Sequence, residues 1–577
     1  MPEQPPADGG AGAYRWVVLS NTTLGVLLAT INASVILISL PAVFRGIGLD
    51  PLAPSNGSVF LWMTMGYTLA TAALVVSAGR ISDMFGRVRM YNLGFAVFTV
   101  GSILLFVTPG SGSAAALQMI VYRTIQGIGS AFLFSNSAAL LTDAFPRQQR
   151  GFALGLNAVA AVAGSLLGVL VGGALATIHW RLVFLVSVPV GLLGTAWAYL
   201  KLREIAPLRE GQRLDIAGNV TFAGALVLIL LGVTQALSPY GGSALGWGNP
   251  AVLAQIVGGV VLLGIFVAVE LRAEDPMFTV ALFRIRPFAA GNLSLILHSI
   301  ARGGLQFMLI IWLQGVWLPL HGVRFADTPL LAGLCTVPMM VLFLVCGALC
   351  GWLSDRFGAR IFATGGMLLV ALAFVLLLML PVDFDYVPFA VVVAMLGAGM
   401  GMFASPNTTA IMNSVPPEQR SASSGMRVTF MTVGMTLSMG VFFTLVVAGM
   451  AGSLPGTLEH ALTAQGVPHA AAVHASQVPP TSALFAAYLG YDPVQVLVPP
   501  ATMQTLAPHT QQVLLGNHFF PDAVGPAFLS GLHAAFAFGA VLSVLSAGAS
   551  MLRGRVTPVP ALLTAPLADE LVEAAGA

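Results

Sequence analysis

Arginine and histidine side chains lie inside long apolar stretches of the sequence, where a charge is costly and therefore marks a candidate for function. Arg123 shares a helix face with Gln126 and Ser130, at spacings of three and seven residues. A second polar stripe repeats every four residues and consists of Ser294, His298, Arg302 and Gln306. Guanidinium groups in an apolar setting bind anions or hydrogen-bond acceptors, and a histidine exchanges protons near physiological pH. These two faces are therefore the first candidates for ligand and proton handling.

Neutral polar side chains in other apolar stretches extend this set. The predicted substrate-cavity residues are Asn32, Tyr67, Gln126, Ser294, Arg302, Gln306 and Asn407. No Asp or Glu occurs at the centre of an apolar stretch. A cavity with arginines and a histidine but no carboxylate favours neutral, amphipathic or anionic ligands over organic cations. Ordinary helix packing, which uses the same neutral side chains, is the alternative interpretation.

The elements that position these residues are predicted to be membrane-spanning helices. Of 577 residues, 57% are hydrophobic and 8% are charged, and the mean hydropathy is +0.89. A bilayer core requires about 20 apolar residues per helix, and stretches of that length recur along the chain. We predict an all-α polytopic bundle with fourteen spans, at about 15–42, 57–79, 89–108, 114–141, 151–177, 181–200, 216–238, 250–271, 288–318, 328–352, 361–381, 386–411, 421–450 and 527–551.

The same composition excludes several function classes. A chain with so few charges cannot build a soluble surface, and no protease, nucleophile-elbow or phosphate-loop pattern is present, so we predict no enzyme. A net charge of +2 provides no basic field for nucleic acid. The cysteines have neither a disulfide nor a zinc-ligand pattern and are interpreted as packing residues: Cys335, Cys346 and Cys350. We predict no metal site and no cofactor.

The distribution of basic residues predicts that both chain ends are cytoplasmic. With the N-terminus inside, eighteen of the 24 basic residues fall on the cytoplasmic side, where the positive-inside rule places them. The outer side then receives Arg45, Arg181 and Arg324, and the spans contain Arg123, Arg302 and Arg427. Segment 452–526 contains no Lys or Arg, and we predict a partly ordered extracellular cap. Its five histidines match no standard metal-ligand spacing. The Pro-, Gly- and Ala-rich start of the chain predicts a disordered tail.

A sequence motif in the first half of the chain recurs in the second half. The stretch GRISDMFGRVR, from Gly79 to Arg89, recurs as GWLSDRFGAR, from Gly351 to Arg360, at an offset of 272 residues. The shared Gly, Asp and Gly describe a tight turn between two helices, with a carboxylate and arginines that can clasp them together on the cytoplasmic side. The predicted cytoplasmic gate residues are Gly79, Asp83, Gly86, Arg87, Gly351, Asp355 and Gly358. A plain basic loop that only sets topology is the alternative.

These motifs resemble those of the major facilitator superfamily, and within it the fourteen-span drug:proton antiporters. The repeated loop is similar to that superfamily's loop between spans two and three, and RTIQGIGSA, starting at Arg123, is similar to its arginine motif. PMFTVALFRIRPF, from Pro276 to Phe288, resembles the same subfamily. The glycines that match its antiporter motif are Gly155, Gly164, Gly168, Gly172 and Gly173. The resemblance implies export by alternating access and a proton-coupling role for Arg123, to which we add His298 as a second candidate.

The sequence departs from this family pattern at two positions. Val169 stands where the antiporter motif usually has a proline, which predicts a straighter fifth span. Asn32 stands where the family has an acidic residue near the end of span one. Because Asn32 cannot titrate, a proton or cationic-drug role at that position is in doubt.

The predicted organisation follows from the spans and the repeat. It consists of a cytoplasmic tail 1–14, an N-terminal six-helix half 15–200, a basic linker with two accessory helices 201–286, a C-terminal six-helix half 287–551 that includes the cap, and a tail 552–577. We predict a monomeric, multi-pass exporter of drugs or amphipathic small molecules in a bacterial cytoplasmic membrane, with small molecules, protons and the lipid bilayer as its partners. A proton-independent exporter of an anionic or lipid-like cell-envelope metabolite is the alternative, and a non-transporting membrane sensor is a weaker one.

Overall fold

The computed structural model describes residues 10–50, 52–53, 56–146, 149–205, 215–273, 276–416 and 419–554. Helices dominate these residues, and the pairing of Tyr240 with Ser243 is an isolated bridge rather than a strand. The all-α class predicted from the sequence is confirmed. Helices suit an apolar solvent because each backbone N–H and C=O group is bonded within its own segment. The predicted tails 1–14 and 552–577 lie mostly outside the described residues.

The first third of the described chain contains seven helices. They are α1 (Gly10–Ile47), α2 (Asn56–Phe85), α3 (Arg87–Phe106), α4 (Gly112–Ala144), α5 (Arg150–Ile178), α6 (Leu182–Leu185) and α7 (Ser187–Lys201). Gly86 separates α2 from α3 with a φ of 109°, a backbone conformation that side chains with a Cβ rarely adopt. Helix α5 is continuous over 29 residues. The straighter span expected from Val169 stays a prediction.

The remainder begins with a pair of apolar helices and continues with a second set, which contains five long helices and two short ones. The pair is α8 (Ile216–Gln235) and α9 (Pro250–Glu270). The second set is α10 (Arg286–Trp312), α11 (Leu318–Leu320), α12 (Thr328–Cys335), α13 (Val337–Phe357), α14 (Ala359–Leu377), α15 (Tyr386–Asn413) and α16 (Arg420–Ala451). A π-helical turn, Leu313–Trp317, joins α10 to α11, and short 3-10 turns are formed by Val280–Arg284 and Phe325–Asp327.

Six short helices and one long helix complete the described chain. The short ones are α17 (Leu454–Ala464), α18 (His469–Ser476), α19 (Pro480–Leu489), α20 (Val494–Leu497), α21 (Pro500–Thr505) and α22 (Pro508–Leu514), and the long one is α23 (Phe519–Met551). The short helices occupy the segment predicted as a partly ordered cap. That segment is therefore more regular than its composition suggested.

Thirteen helical segments among the described residues are long and apolar enough to cross a membrane. Helix α4 is not among them although it has 33 residues, so the predicted count of fourteen spans is not confirmed. Its buried side chains include Arg123, Gln126 and Asn136, which reduce its apolar character. This helix packs against α1, α2 and α3 and carries the arginine motif.

The long helices pack in two groups. Helix α4 contacts α1, α2 and α3, and α5 lies along α1; in the second group α15 contacts α13 and α14, and α23 contacts α10, α14 and α16. The repeat is visible in this packing, because a Cβ added at Gly79 would meet Ser135 and one at Gly351 would meet Ser405. The groups meet where α2 contacts α16 and where α5 contacts α12.

The accessory pair flanks the seam between the two groups. Helix α8 packs against α9, α2 and α16. Trp62 of α2 donates from its indole Nε1 to the hydroxyl of Thr234 on α8, at 3.1 Å. Helix α9 instead exposes apolar side chains such as Leu253, Val257 and Val261, which suit contact with lipid.

Candidate functional site

A buried guanidinium is the centre of the polar network in the first helix group. Arg123 is 1% exposed, and its Nη1 donates to the side-chain oxygen of Asn32 and, at 2.9 Å, to that of Gln126. Its Nε donates to the backbone oxygen of Met63 at 3.3 Å. The Tyr67 ring centroid lies 4.6 Å from the guanidinium carbon, a distance suited to a cation–π contact. Four sequence-predicted residues from α1, α2 and α4 thus meet at one point.

A second layer of hydroxyl groups fixes the side chains that hold Arg123. Gln126 donates from Nε2 to Ser102 of α3 at 2.7 Å, and Asn32 donates from Nδ2 to Ser187 of α7 at 3.2 Å. The Tyr67 hydroxyl lies 2.9 Å from the backbone oxygen of Ala29 and 2.7 Å from the hydroxyl of Ser130. The orientation of each partner is therefore set by another helix. The sequence did not identify Ser102 or Ser187, since serines are frequent in spans and give no signal of their own.

The network holds its positive charge without a counter-charge. None of the ion pairs found among the described residues includes Arg123. Its partners are two amide oxygens, one carbonyl oxygen and one aromatic face. Such neutral acceptors solvate a guanidinium but leave its charge uncompensated, so the site can attract an anionic or electron-rich group.

The predicted polar stripe of α10 does not form a single surface. Ser294 is fully buried in the contact with α23, where its hydroxyl lies 2.8 Å from both the backbone oxygen and the hydroxyl of Ser546. Arg302 lies instead with its guanidinium carbon 4.9 Å from the Phe343 ring centroid. Gln306 is partly exposed. The stripe therefore divides into a helix contact near the N-terminal end of α10 and a half-open cationic face further along.

His298 is buried against an aromatic ring. It is 4% exposed, and its ring centroid lies 4.6 Å from that of Phe403 on α15. Its Nδ1 has no hydrogen-bond partner among the described residues. Arg302, one turn along the same helix, is the neighbouring charge. This ring nitrogen is thus both buried and without a partner.

Asn407 lies apart from both clusters. Its Nδ2 is 3.4 Å from the backbone oxygen of Gly291, and its Oδ1 accepts from Nη2 of Arg553, which follows α23. Arg553 is 2% exposed, and burial lowers its pKa to about 10, so it stays cationic at neutral pH. The cavity assignment of Asn407 stays a prediction, because its contacts are with the start of α10 and with the residue that follows the end of α23.

The predicted gate loop of the first group is clasped by ion pairs. Arg87 donates from Nε to Asp83 at 2.8 Å and from Nη1 to Asp143 at 2.7 Å, so α2, α3 and α4 are tied together. Glu204, which the sequence did not identify, accepts from the backbone N–H groups of Arg87 at 2.6 Å and Val88 at 3.0 Å. A carboxylate at this helix N-terminus compensates its unsatisfied donors. All of these partners belong to the first helix group.

Two residues of α2 next to this loop contact segments outside the first helix group. Arg80 donates to the backbone oxygen of Pro276, and Ser77 donates to the side chain of Asn219 on α8. In the second repeat, Gly358 has a φ of 86° between α13 and α14, as Gly86 does between α2 and α3. The side chain of Asp355 lies outside the described residues, so its predicted clasp is not assessed.

Four of the five antiporter-motif glycines allow close helix packing. A Cβ at Gly164, Gly168 or Gly172 would lie within 3 Å of backbone oxygens of α1. A Cβ at Gly173 would lie 2.8 Å from the Leu330 Cα of α12, in the other helix group. Gly155 has no neighbour within 4 Å. The motif therefore brings α5 against α1 and, near its C-terminal end, against the second group.

The fold is that of known membrane transporters. A bacterial homologue of the human lysosomal transporter Spinster, in an inward-facing and occupied conformation, superposes with a TM-score of 0.58 at 15% identity, covering 94% of this chain and 97% of that one. A POT family peptide transporter superposes with a TM-score of 0.54 at 14% identity, over 83% and 95% of the two chains. At these identities the likeness concerns the fold alone.

Curated relatives include antibiotic export proteins. The tetracenomycin C resistance and export protein of Streptomyces glaucescens is 26% identical over 557 residues, covering 96% of this chain and 94% of that protein. The cephamycin export protein CmcT of Amycolatopsis lactamdurans is 30% identical over 444 residues, which cover 75% and 85%. The probable actinorhodin transporter of Streptomyces coelicolor is 29% identical over 478 residues, which cover 78% and 77%. Residues 22–439 match the family description Major Facilitator Superfamily, and together with the relatives this match shows that the chain belongs to that superfamily of membrane transporters.

Proposed function

We propose that this transporter exports neutral, amphipathic or anionic small molecules, antibiotics among them, across the cytoplasmic membrane by alternating access. The observation that carries the proposal is Arg123, buried and held by Asn32, Gln126 and the Met63 carbonyl without a carboxylate. The names of the relatives support export of antibiotics as the substrate class.

The charge of the interior is what favours this substrate class over organic cations. Arg123 and Arg302 both lie against aromatic rings rather than acids. A planar, electron-rich or anionic compound gains from both the guanidinium and the ring, whereas an organic cation is repelled. Tyr67, Phe343 and Phe403 supply adaptable apolar surface beside the charged groups. The substrate cavity is proposed to lie between the two helix groups, which meet along α2 and α16.

We propose proton antiport as the energy source, with Arg123 and His298 as the coupling candidates. The unpartnered Nδ1 of His298 supports its assignment. The competing proposal is a proton-independent exporter of an anionic or lipid-like envelope metabolite. Asn32 favours it, because Asn32 is the partner of Arg123 and cannot titrate.

The arrangement in the membrane is part of the same proposal. The relatives are bacterial, and the chain is a multi-pass transporter, so the bacterial cytoplasmic membrane is its proposed location. We propose that both chain ends are cytoplasmic and that the protein is monomeric. The proposed six-helix halves are 15–200 and 287–551, and the accessory segment is 201–286.

The test is a resistance panel in a bacterial host stripped of its own efflux pumps. We expect resistance to tetracenomycin C with the intact chain, no resistance to ethidium, and loss of the tetracenomycin C effect in Arg123→Gln at equal membrane abundance. Collapse of the proton gradient then separates the two energy sources: antiport stops, whereas proton-independent export continues. Resistance to ethidium without resistance to any neutral or anionic compound would refute the proposed substrate class.

A further inference from the structure

A short helix of the outer segment is buried on every side. All ten residues of α19, with the sequence PTSALFAAYL, are buried. A helix lying on a protein surface keeps one polar, solvated face, and this one keeps none. Helix α19 is therefore inserted between other elements rather than laid over them. Its neighbours are α1, α2, the π-helical turn Leu313–Trp317, α16 and α23.

The contacts of α19 with the first helix group are specific. The Tyr488 hydroxyl donates to the backbone oxygen of Leu37 at 2.6 Å, and the Ser482 hydroxyl donates to that of Leu52 at 3.1 Å. The Phe485 ring centroid lies 4.3 Å from that of Phe60 on α2. Burial raises the pKa of Tyr488, so its hydroxyl remains a donor throughout the physiological range.

The contacts of α19 with the second group are equally close. The Phe485 ring also stacks on Phe443 of α16, with centroids 5.1 Å apart. A Cβ at Gly315, in the π-helical turn, would lie 3.1 Å from the Tyr488 Cα and 3.2 Å from the Ala487 carbonyl carbon. Helix α19 thus fills the space between the outer ends of both groups.

The chain connects α19 to the second group alone. It leaves α16 through α17 and returns through α22 to α23, and α17 buries Leu454, Leu458 and Leu462 while packing against α23. Towards the first group the packing is incomplete. A half-open cavity of about 340 Å³ lies between the end of α1 and the turn after α19, and its lining includes Phe44, Leu49 and Gly490. An unfilled boundary forgoes dispersion contacts and separates more easily than a filled one.

We propose that α19 is the plug of the outer gate, that it moves with the second helix group, and that its contacts with α1 and α2 break each time the transporter opens outward. The inference rests on the proposed alternating access, since outward opening requires the outer ends of the two groups to part. A plug fixed to both groups would prevent that movement. The covalent connections and the cavity assign the moving boundary to the α19–α1 and α19–α2 side.

Two pairs of cysteines test whether α19 separates from the first or from the second helix group. Both pairs are introduced into a background in which Cys335, Cys346 and Cys350 are replaced by Ala. Leu52→Cys with Ser482→Cys links α19 to the first group, and Gly315→Cys with Ala487→Cys links it to the second. Oxidation of the first pair is expected to reduce tetracenomycin C export by about tenfold or more, because it removes a step that the cycle needs, and reduction to restore it. Oxidation of the second pair, with disulfide formation verified by peptide mapping, is expected to leave export within about twofold. Unchanged export with the first pair once its disulfide is verified by peptide mapping, or equal arrest by both pairs, overturns the inference.

A second measurement does not depend on any substrate. Ala486→Cys, buried in α19, is treated in intact cells with a membrane-impermeant maleimide, beside Val496→Cys, which is exposed in the same segment, and Leu532→Cys, which is buried in α23. We expect Ala486→Cys to be labelled at a rate between those of Val496→Cys and Leu532→Cys. This labelling is expected to stop when Leu52→Cys and Ser482→Cys are joined by a disulfide. Labelling as slow as that of Leu532→Cys would show a plug that does not move. A failure of the proposed export function would appear separately, as a background variant that labels as expected but confers no resistance.

Discussion

The Arg123 guanidinium donates a hydrogen bond to the side-chain oxygen of Asn32, the position where the resemblance to drug:proton antiporters led us to expect an acid. An acid there would form an ion pair and neutralise the arginine. The amide instead accepts the hydrogen bond and leaves the charge in place. The net charge of the Arg123 network therefore depends on one residue of α1.

Asn32→Asp should convert the site into a neutral pair. We expect export of anionic compounds to fall by about tenfold or more, because the attractive charge is compensated, while export of neutral compounds changes less. Transport into everted vesicles, measured for an anionic and a neutral compound, checks this. Asn21→Asp is the matched control, since Asn21 is equally buried on α1 but bonds to Gly194 rather than to Arg123. An equal loss in both variants would attribute the effect to a buried carboxylate as such.

Arg123→Lys should lose most of the export activity although it keeps the charge. Lysine cannot replace the planar fork that reaches Asn32, Gln126 and the Met63 carbonyl together, and it stacks less well on Tyr67. We expect Arg123→Lys and Arg123→Gln to be similarly inactive at wild-type membrane abundance. Full activity of the lysine variant would mean that only the charge matters, and not the network.

Helix identity and approximate bounds were predictable for most spans, because apolar length and Gly or Pro breaks are local properties. The span predicted at 89–108 is observed as Arg87–Phe106, and that at 151–177 as Arg150–Ile178. Local composition did not reveal the division of the sixth span near Val186, nor the π-helical turn after α10. These features depend on neighbouring helices.

The contacts within the site were predictable only where the contacting residues share a helix. The spacing of Arg123 and Gln126 places them on one face, but the meeting of Asn32, Tyr67 and Ser187 requires the packing of α1, α2 and α7. Ser294 shows the opposite case, since its spacing placed it with His298 whereas packing turned it towards α23. Helix periodicity fixes the direction of a side chain relative to its own helix and not what that side chain meets.

His298→Gln tests the proposed coupling role of the histidine. Glutamine retains hydrogen-bonding groups and similar volume but does not titrate, so we expect the pH dependence of export to flatten if the unpartnered Nδ1 carries the coupled proton. His298→Phe, which retains the ring contact with Phe403, separates packing from proton chemistry. The measurement is export between about pH 5.5 and 8.5, a range that brackets the ordinary pKa of histidine. A pH profile identical to that of the wild type would exclude His298 from coupling.

Gly168→Ala should weaken the contact between α5 and α1. The added Cβ would lie 2.5 Å from the Ile31 backbone oxygen, so the helices must move apart, at a cost of about 1–3 kcal/mol by analogy with overpacked cores. We expect a lower melting temperature in detergent and reduced export. Gly155→Ala, in the same helix and with no neighbour within 4 Å, should match the wild type. Equal behaviour of the two variants would mean that α5 does not pack as described.

Asp492→Asn should stabilise the outer segment at neutral pH. Burial raises the pKa of Asp492 above that of an exposed aspartate, against the hydrogen bond that its Oδ1 accepts from Val494 N at 3.0 Å. The folded state therefore holds its proton to a higher pH than the unfolded state does. The resulting stability is complete below the ordinary aspartate pKa of about 3.9 and is lost as the pH rises through the raised value.

Asparagine avoids that loss and can still accept from Val494. We expect slower amide hydrogen exchange in α20 for Asp492→Asn at pH 7.5 after correction for intrinsic rates, and equal protection below about pH 3, where the carboxyl is largely protonated in both states. A stabilisation of the same size at both pH values would indicate a packing effect rather than the ionisation of Asp492.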